Sequence, residues 1–179
     1  KMGFVNELKN KMENINALKI AYAIVPTNAQ YDKRYYKDYF FPVQLPDYNS
    51  ENNSLIDTYK KITEFDNIIE IGNTDFGEFK INGKQYLVEN LKQEIKKNIK
   101  SNPNYVVKLY INDNVDFSVY FSVISKTKEA VNELRNEYSL FTYSKNFDDL
   151  NYEEMYDAVE KYRFRIFEIT TQMKTQLEN

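Results

Sequence analysis

The alternation of apolar and polar residues changes period within the stretch GEFKINGKQYLVENLKQEIKKNI, residues 77–99. Phe79 and Ile81 alternate with Glu78 and Lys80, Asn82-Gly83 interrupts, and Lys84 to Leu87 alternate again. Alternation puts successive side chains on opposite faces of a strand. An Asn-Gly pair between two such runs predicts a β-hairpin, because a type I′ turn needs positive φ twice and these residues tolerate it best. Val88, Leu91, Ile95 and Ile99 then recur at helical spacing and predict a helix from Val88 to about Asn98. Pro103 in SNPN ends it, since proline lacks the N–H a helix needs and clashes with the preceding turn.

The same reading extends in both directions. NIIEI, Asn67 to Ile71, predicts a strand that forms a small meander with the hairpin, linked by the turn-rich Gly72 to Gly77. YVVKLYI predicts another strand, with Tyr105, Val107, Leu109 and Ile111 on one face. Asp116 suits the N-cap of the next helix, its carboxylate accepting an orphan backbone N–H. Along that helix Phe117, Phe121, Ile124, Lys128, Val131, Leu134 and Tyr138 track one face, with Lys128 breaking the apolar stripe. LFTY, residues 140–143, reads either as the end of this helix or as a strand. A further helix starts near Asn151 with Met155, Ala158, Val159 and Tyr162 inward, and Arg163 to Ile169 reads as continued helix or as a terminal strand.

Upstream, Phe4, Leu8, Met12 and Ile15 predict a first helix over residues 3–17, and Leu18 to Pro26 a strand or extended connector. Tyr31 to Ser54, with tyrosines at 31, 35, 36, 39 and 48, reads as extended or loosely folded, and Leu55 to Ile62 as a short helix. The order β-β-β-α-β-α, plus a helical C-terminal extension, predicts a two-layer α+β fold: a small sheet with helices packed on one face. The expected divisions are an N-terminal part over 1–54, the α+β domain over 55–150, and an extension over 151–179 that is helical or helix-strand.

Composition narrows the chemistry. In 179 residues, 42% apolar, there is enough core for a single domain. The 24 basic and 27 acidic residues leave a net charge of −3, which weighs against broad nucleic-acid binding. The Tyr-rich 31–41 stretch resembles a base-stacking platform, but Asp32 and Asp38 interrupt its basic charge, and aromatics covering a neighbouring surface are the plainer reading. There is no Cys and no His, which removes disulfides, thiolate metal sites, imidazole bases and the Ser-His-Asp triad. Asp113 and Asp116, with Glu70 or Asp75, are the one carboxylate grouping of interest, and a turn and a helix cap account for the first two. The expected protein is therefore not an enzyme and needs no cofactor. No apolar run approaches the roughly 20 residues needed to cross a bilayer.

Residues 76–150 resemble the periplasmic domain of the ExbD/TolR family. The likeness lies in Glu78-Phe79-Lys80-Ile81, the Asn82-Gly83 turn, Val88 with Leu91, Asn102-Pro103, Val106 to Ile111, the Asn112 to Val115 turn, and a helix opening at Phe117. KEAVNELRNEYSLFTYSKNFDDLNYEE resembles the extended C-terminal form in Bacteroidota-like members, and FFPVQLPD the stretch after the family's membrane helix. Two departures stand out: the family's membrane helix with its proton-handling Asp has no counterpart here, and Asn112 stands where the turn Asp is usual, beside Asp113.

The resemblance implies a coupling domain on the periplasmic side of the inner membrane, in a complex driven by the proton-motive force. Its implied partners are an ExbB/TolQ-like membrane protein, a TonB-like or peptidoglycan-linked component, and a second copy in a homodimer, with no nucleic acid. The anchor is expected to lie outside this chain. Candidate partner-binding residues are Ile81, Asn82, Gly83, Lys84 and Tyr86 of the hairpin, Asn112 and Asp113 of the turn, and Phe117. Arg163 to Ile169, if extended, offers a further sheet edge. The competing expectation is a soluble or surface-attached structural or binding protein with the same element order.

Overall fold

The computed structural model describes residues 19–23, 40–44, 62–73, 79–110 and 114–169. Strands β1 (Lys19–Ala23) and β2 (Phe40–Gln44) pair antiparallel as a two-stranded sheet, from Lys19 opposite Gln44 to Ala23 opposite Phe40. The segment expected to be extended or loosely folded contributes a regular strand at Phe40–Gln44. The rest of that segment, the helix expected over 3–17 and most of the one expected before Ile62 lie outside the described residues.

The main sheet begins with β3 (Asn67–Asn73), β4 (Phe79–Ile81) and β5 (Lys84–Tyr86), paired antiparallel in succession as the expected meander. Asn82 and Gly83 between β4 and β5 have φ of 49° and 79°, the positive pair that a two-residue hairpin turn demands. Helix α1 (Val88–Ser101) follows, burying Leu91, Ile95 and Ile99, while Val88 in its first turn stays exposed. Crossing over the sheet on α1, the chain re-enters as β6 (Tyr105–Tyr110), parallel to β3 from Asn67 opposite Tyr105 to Gly72 opposite Tyr110.

Helix α2 (Phe117–Tyr143) then runs 27 residues, so LFTY is its last turn and not a strand. A short 3-10 turn (Phe147–Asp149) leads to α3 (Tyr152–Lys161). The chain ends its described course in β7 (Ile166–Ile169), parallel to β6. Of the two readings of Arg163 to Ile169, the strand is the one adopted, and it completes a five-stranded mixed sheet in the order β5-β4-β3-β6-β7.

The core lies between this sheet and the helices. Ile69, Ile71, Phe79, Ile81, Tyr105, Val107 and Leu109 project from the sheet against Leu91, Ile95 and Ile99 of α1 and Tyr120, Val123, Ile124, Ala130, Val131 and Leu134 of α2. The fold is thus the expected α+β arrangement, a small mixed sheet with three helices packed against it. On its other face β6, paired on both sides, also buries Val106 and Lys108.

Two local expectations need correction. Asp116 occupies the N-cap position of α2, but its side chain makes no capping hydrogen bond, and its backbone carbonyl instead accepts from the N–H groups of Val119 and Tyr120. The buried face of α2 keeps Ile124, Val131 and Leu134 of the expected one but is turned part-way from it. Tyr120, Val123, Thr127 and Ala130 are buried, whereas Phe117, Phe121 and Lys128 are half-exposed. Thr127 qualifies because its hydroxyl donates to the Val123 carbonyl at 2.8 Å, and Ser139 does the same to Arg135 at 2.7 Å. A small polar residue satisfied by its own helix can be buried where close packing favours low volume.

Candidate functional site

At one end of the sheet, the hairpin β4–β5 forms the outermost pair among the described strands. Ile81 is buried in the core, so its side chain holds the hairpin down rather than facing outward. Asn82 and Gly83 are exposed at the tip. The Asn82 backbone N–H donates to the Glu70 carbonyl at 2.8 Å, and its side-chain oxygen accepts the Glu70 N–H at 2.8 Å. The side chain stands in for a backbone carbonyl where the chain turns away, extending the β3–β4 ladder by one pair. Lys84 is exposed, its ammonium 5.6 Å from the centroid of the half-buried Tyr86 ring. Ile81, Asn82, Gly83, Lys84 and Tyr86 are therefore one unit. Phe117 is separate, packed at the start of α2 with ring centroids 5.6 Å from Tyr120 and 5.8 Å from Phe121. Asn112 and Asp113 lie outside the described residues.

The opposite end is β7, tied to the body by a set of polar contacts. The Tyr105 hydroxyl donates to the Arg163 carbonyl, and the Val107 N–H donates to the Arg165 carbonyl at 3.1 Å. Arg165 donates from Nη1 to the carbonyls of Pro103 and Tyr105, both at 3.3 Å, with its guanidinium 5.2 Å from the Phe65 ring centroid. Burial pushes the Tyr105 phenol well above its usual pKa, although Arg135 and Arg165 pull the other way. Burial likewise lowers Arg135, whose Nε–H donates to the Tyr162 carbonyl at 2.8 Å. Within β7, the Glu168 carboxylate accepts a hydrogen bond from the buried Tyr120 hydroxyl. The alternation of Phe164 and Ile166 was the sequence signal for this strand.

Between them α2 and α3 build a helical hairpin. The hydroxyls of Tyr138 and Tyr143 both donate to Asp157 Oδ2, at 2.7 and 2.6 Å, and Lys145 pairs with Glu154 at 2.8 Å. A reciprocal capping box starts α3: Asn151 Oδ1 accepts the Glu154 N–H, and Glu154 Oε2 accepts the Asn151 N–H, each at 3.0 Å. Of the side expected to face inward, Ala158 alone is fully buried; Val159 and Tyr162 are half-exposed and Met155 is exposed. The contacts to α2 run through Asp157 and through Tyr162, whose ring meets Tyr138 edge-on at 6.3 Å, so Ala158 and Tyr162 of the expected stripe face the body while Met155 does not. Leu140 and Phe141 near the end of α2 are exposed as well.

Glu70, the described member of the expected carboxylate grouping beside Asp116, is engaged by Lys108 at 3.1 Å and by the Tyr110 hydroxyl at 3.4 Å. Among the described residues, no group of three or more His, Cys, Asp or Glu side chains could hold a metal ion. No described helix is long and apolar enough to cross a membrane. Comparison with protein-family models, curated proteins and solved structures yields no match to this chain.

Proposed function

We propose that this chain is a coupling domain on the periplasmic side of an inner membrane, part of a complex driven by the proton-motive force. In this reading it transmits work by binding partner proteins and by pairing with a second copy, without catalysis or a cofactor. Its partners are an ExbB/TolQ-like membrane protein and a TonB-like or peptidoglycan-linked component.

The observation that carries the reading is the disposition of the sheet. Its helices use one face for the core, and its order ends in a short hairpin strand on one side and β7 on the other. Outer strands of a sheet are suited to accept a partner strand by main-chain hydrogen bonding. Short length and an exposed Lys84 on β5 limit indiscriminate pairing while leaving room for a tethered, specific partner. The succession of hairpin, α1, β6 and α2 also coincides with the span that carries the ExbD/TolR resemblance.

The test is affinity capture of the tagged full-length gene product from its own membranes, read by mass spectrometry. Recovery of an ExbB/TolQ-like partner is expected. Recovery of soluble proteins with no membrane partner would overturn the proposal and leave a soluble or surface-attached binding protein. Light scattering at high micromolar concentration checks the homodimer.

A further inference from the structure

Helix α3 is amphipathic in a direction the fold does not use. Tyr152, Met155, Tyr156 and Val159 recur at i, i+3, i+4 and i+7, the spacing of a packing stripe. The side that meets the body is a different one, carrying the buried Ala158, and Tyr162 against Tyr138, with Asp157 beneath two tyrosine hydroxyls. Tyr152 is 76% exposed, Tyr156 57% and Met155 38%, while Val159 is half-buried, so the Tyr152–Tyr156 part of the stripe faces outward. A single exposed aromatic is ordinary, but two with a methionine on one helical row form a surface that gains by being covered.

Charge says what kind of partner would cover it. From Ser144 to Tyr162 the acidic residues are Asp148, Asp149, Glu153, Glu154, Asp157 and Glu160, against Lys145 and Lys161. Glu154 is matched by Lys145, and Glu160 by Arg163. Glu153 is exposed one step along from Tyr152 and carries the acidic charge on the Tyr156 side of the stripe, since Glu160 in the same row is held by Arg163.

That charge discriminates among occupants. A second copy docking stripe to stripe in antiparallel register would bring the two Glu153 side chains to the same flank, and like charges across an interface are unfavourable. A bilayer surface favours helices flanked by Lys and Arg, the reverse of what α3 presents. A basic segment with apolar anchors satisfies both features at once.

We propose that the outward face of α3 is a docking site for a basic amphipathic segment of a partner protein. Apolar anchors of that segment lie on Tyr152, Met155 and Tyr156, and its Lys or Arg residues lie along Glu153. The site is independent of the sheet edges and of the proton-motive-force reading, so either can fail alone.

Two fluorescent synthetic helical peptides test it against the full chain by anisotropy. Both carry leucines at i, i+3, i+4 and i+7; one has flanking lysines, the other glutamates at the same positions. The lysine peptide is expected to bind, more weakly as salt rises, and the glutamate peptide not to bind. Tyr152→Ser with Tyr156→Ser should weaken binding of the lysine peptide about tenfold or more, since buried aromatic anchors dominate such interfaces. Glu153→Lys, on an exposed position that leaves the apolar stripe intact, should weaken it as well and keeps the test valid if the tyrosine variant folds poorly. Equal binding of the two peptides, no binding of either, or binding that survives Glu153→Lys unchanged would overturn the proposal. So would a dimer in light scattering that the tyrosine variant dissolves, or attachment to phosphatidylserine vesicles, which would assign the face to a second copy or to lipid.

Discussion

Asn82 acts twice within one residue: its backbone adopts the positive φ of the turn, and its amide oxygen accepts the Glu70 N–H. Asn82→Ala keeps the chain length but strands that N–H and removes a residue suited to left-handed geometry. A loss of about 1–2 kcal/mol is expected in urea unfolding. Gly83→Val forces a β-branched residue to φ 79° and should lower stability by a similar or larger amount. The turn was legible in the sequence because its chemistry is contained in two neighbouring residues. The partnership with Glu70 was not, because it depends on the register between β3 and β4. Asp157 offers a second check at this scale. Its carboxylate, accepting from Tyr143 and Tyr138, is held below its ordinary pKa, and the hydrogen bond to Asp157 pushes the Tyr143 phenol up to about 12. Asp157→Asn should return Tyr143 toward 10, readable by site-resolved NMR of the tyrosine rings. A raised phenol pKa contributes stability below the unfolded value, and that contribution disappears as pH climbs from 10 through about 12.

Among the elements, α1 and α2 lie side by side and run in the same direction, joined by a ladder of ion pairs. Lys92 and Lys96 reach Glu133 at 2.6 Å each, and Lys96 and Lys100 reach Glu137 at 2.8 Å each. Hydrogen bonds from Lys92 and Lys96 hold Glu133 below 4.5, and those from Lys100 and Lys96 do the same for Glu137. Burial alone would lower Lys96, but its bonds to both glutamates outweigh that and leave it raised above 10.5. Depressed carboxylates stabilise the fold above 4.5 and lose that contribution as pH falls through their folded values. Glu133→Gln with Glu137→Gln should therefore flatten the acid limb of the stability curve. The effect should be small, under about 1 kcal/mol per pair, because these side chains are more than one-third exposed. Asn151→Ala removes half of the capping box and should cost about 1 kcal/mol, seen as early fraying of α3 in hydrogen exchange.

Sequence period found α1 and β6 well, since Leu91, Ile95 and Ile99, or Tyr105, Val107 and Leu109, each face a single surface. On α2 it found Ile124, Val131 and Leu134 but missed Thr127 and Ala130, which pack closely, while the aromatics Phe117 and Phe121 lie at the margin. On α3 it assumed that an apolar stripe points to the core. There Ala158 and Tyr162 of the stripe do pack inward, but Met155 does not, and Asp157 joins the contact with α2 through two tyrosine hydroxyls, a preference no hydrophobic count registers.

At the scale of the molecule, chain order and spatial order diverge in one place: β7, last in the described chain, lies next to β6 and beyond β3. Local pattern identified it as a possible strand but could not supply its neighbour, which is reached only after the crossover through α2 and α3. Its parallel pairing with β6, and that of β6 with β3, has a mechanical side. Tension applied between the start of β3 and the end of β7 pulls the two strands in opposite directions along their own axes. The hydrogen bonds flanking β6 are then loaded together in shear, and none can be unzipped ahead of the rest. A domain strung between those two points resists extension as a clamp does, and it would hand a pulling force onward before yielding to it.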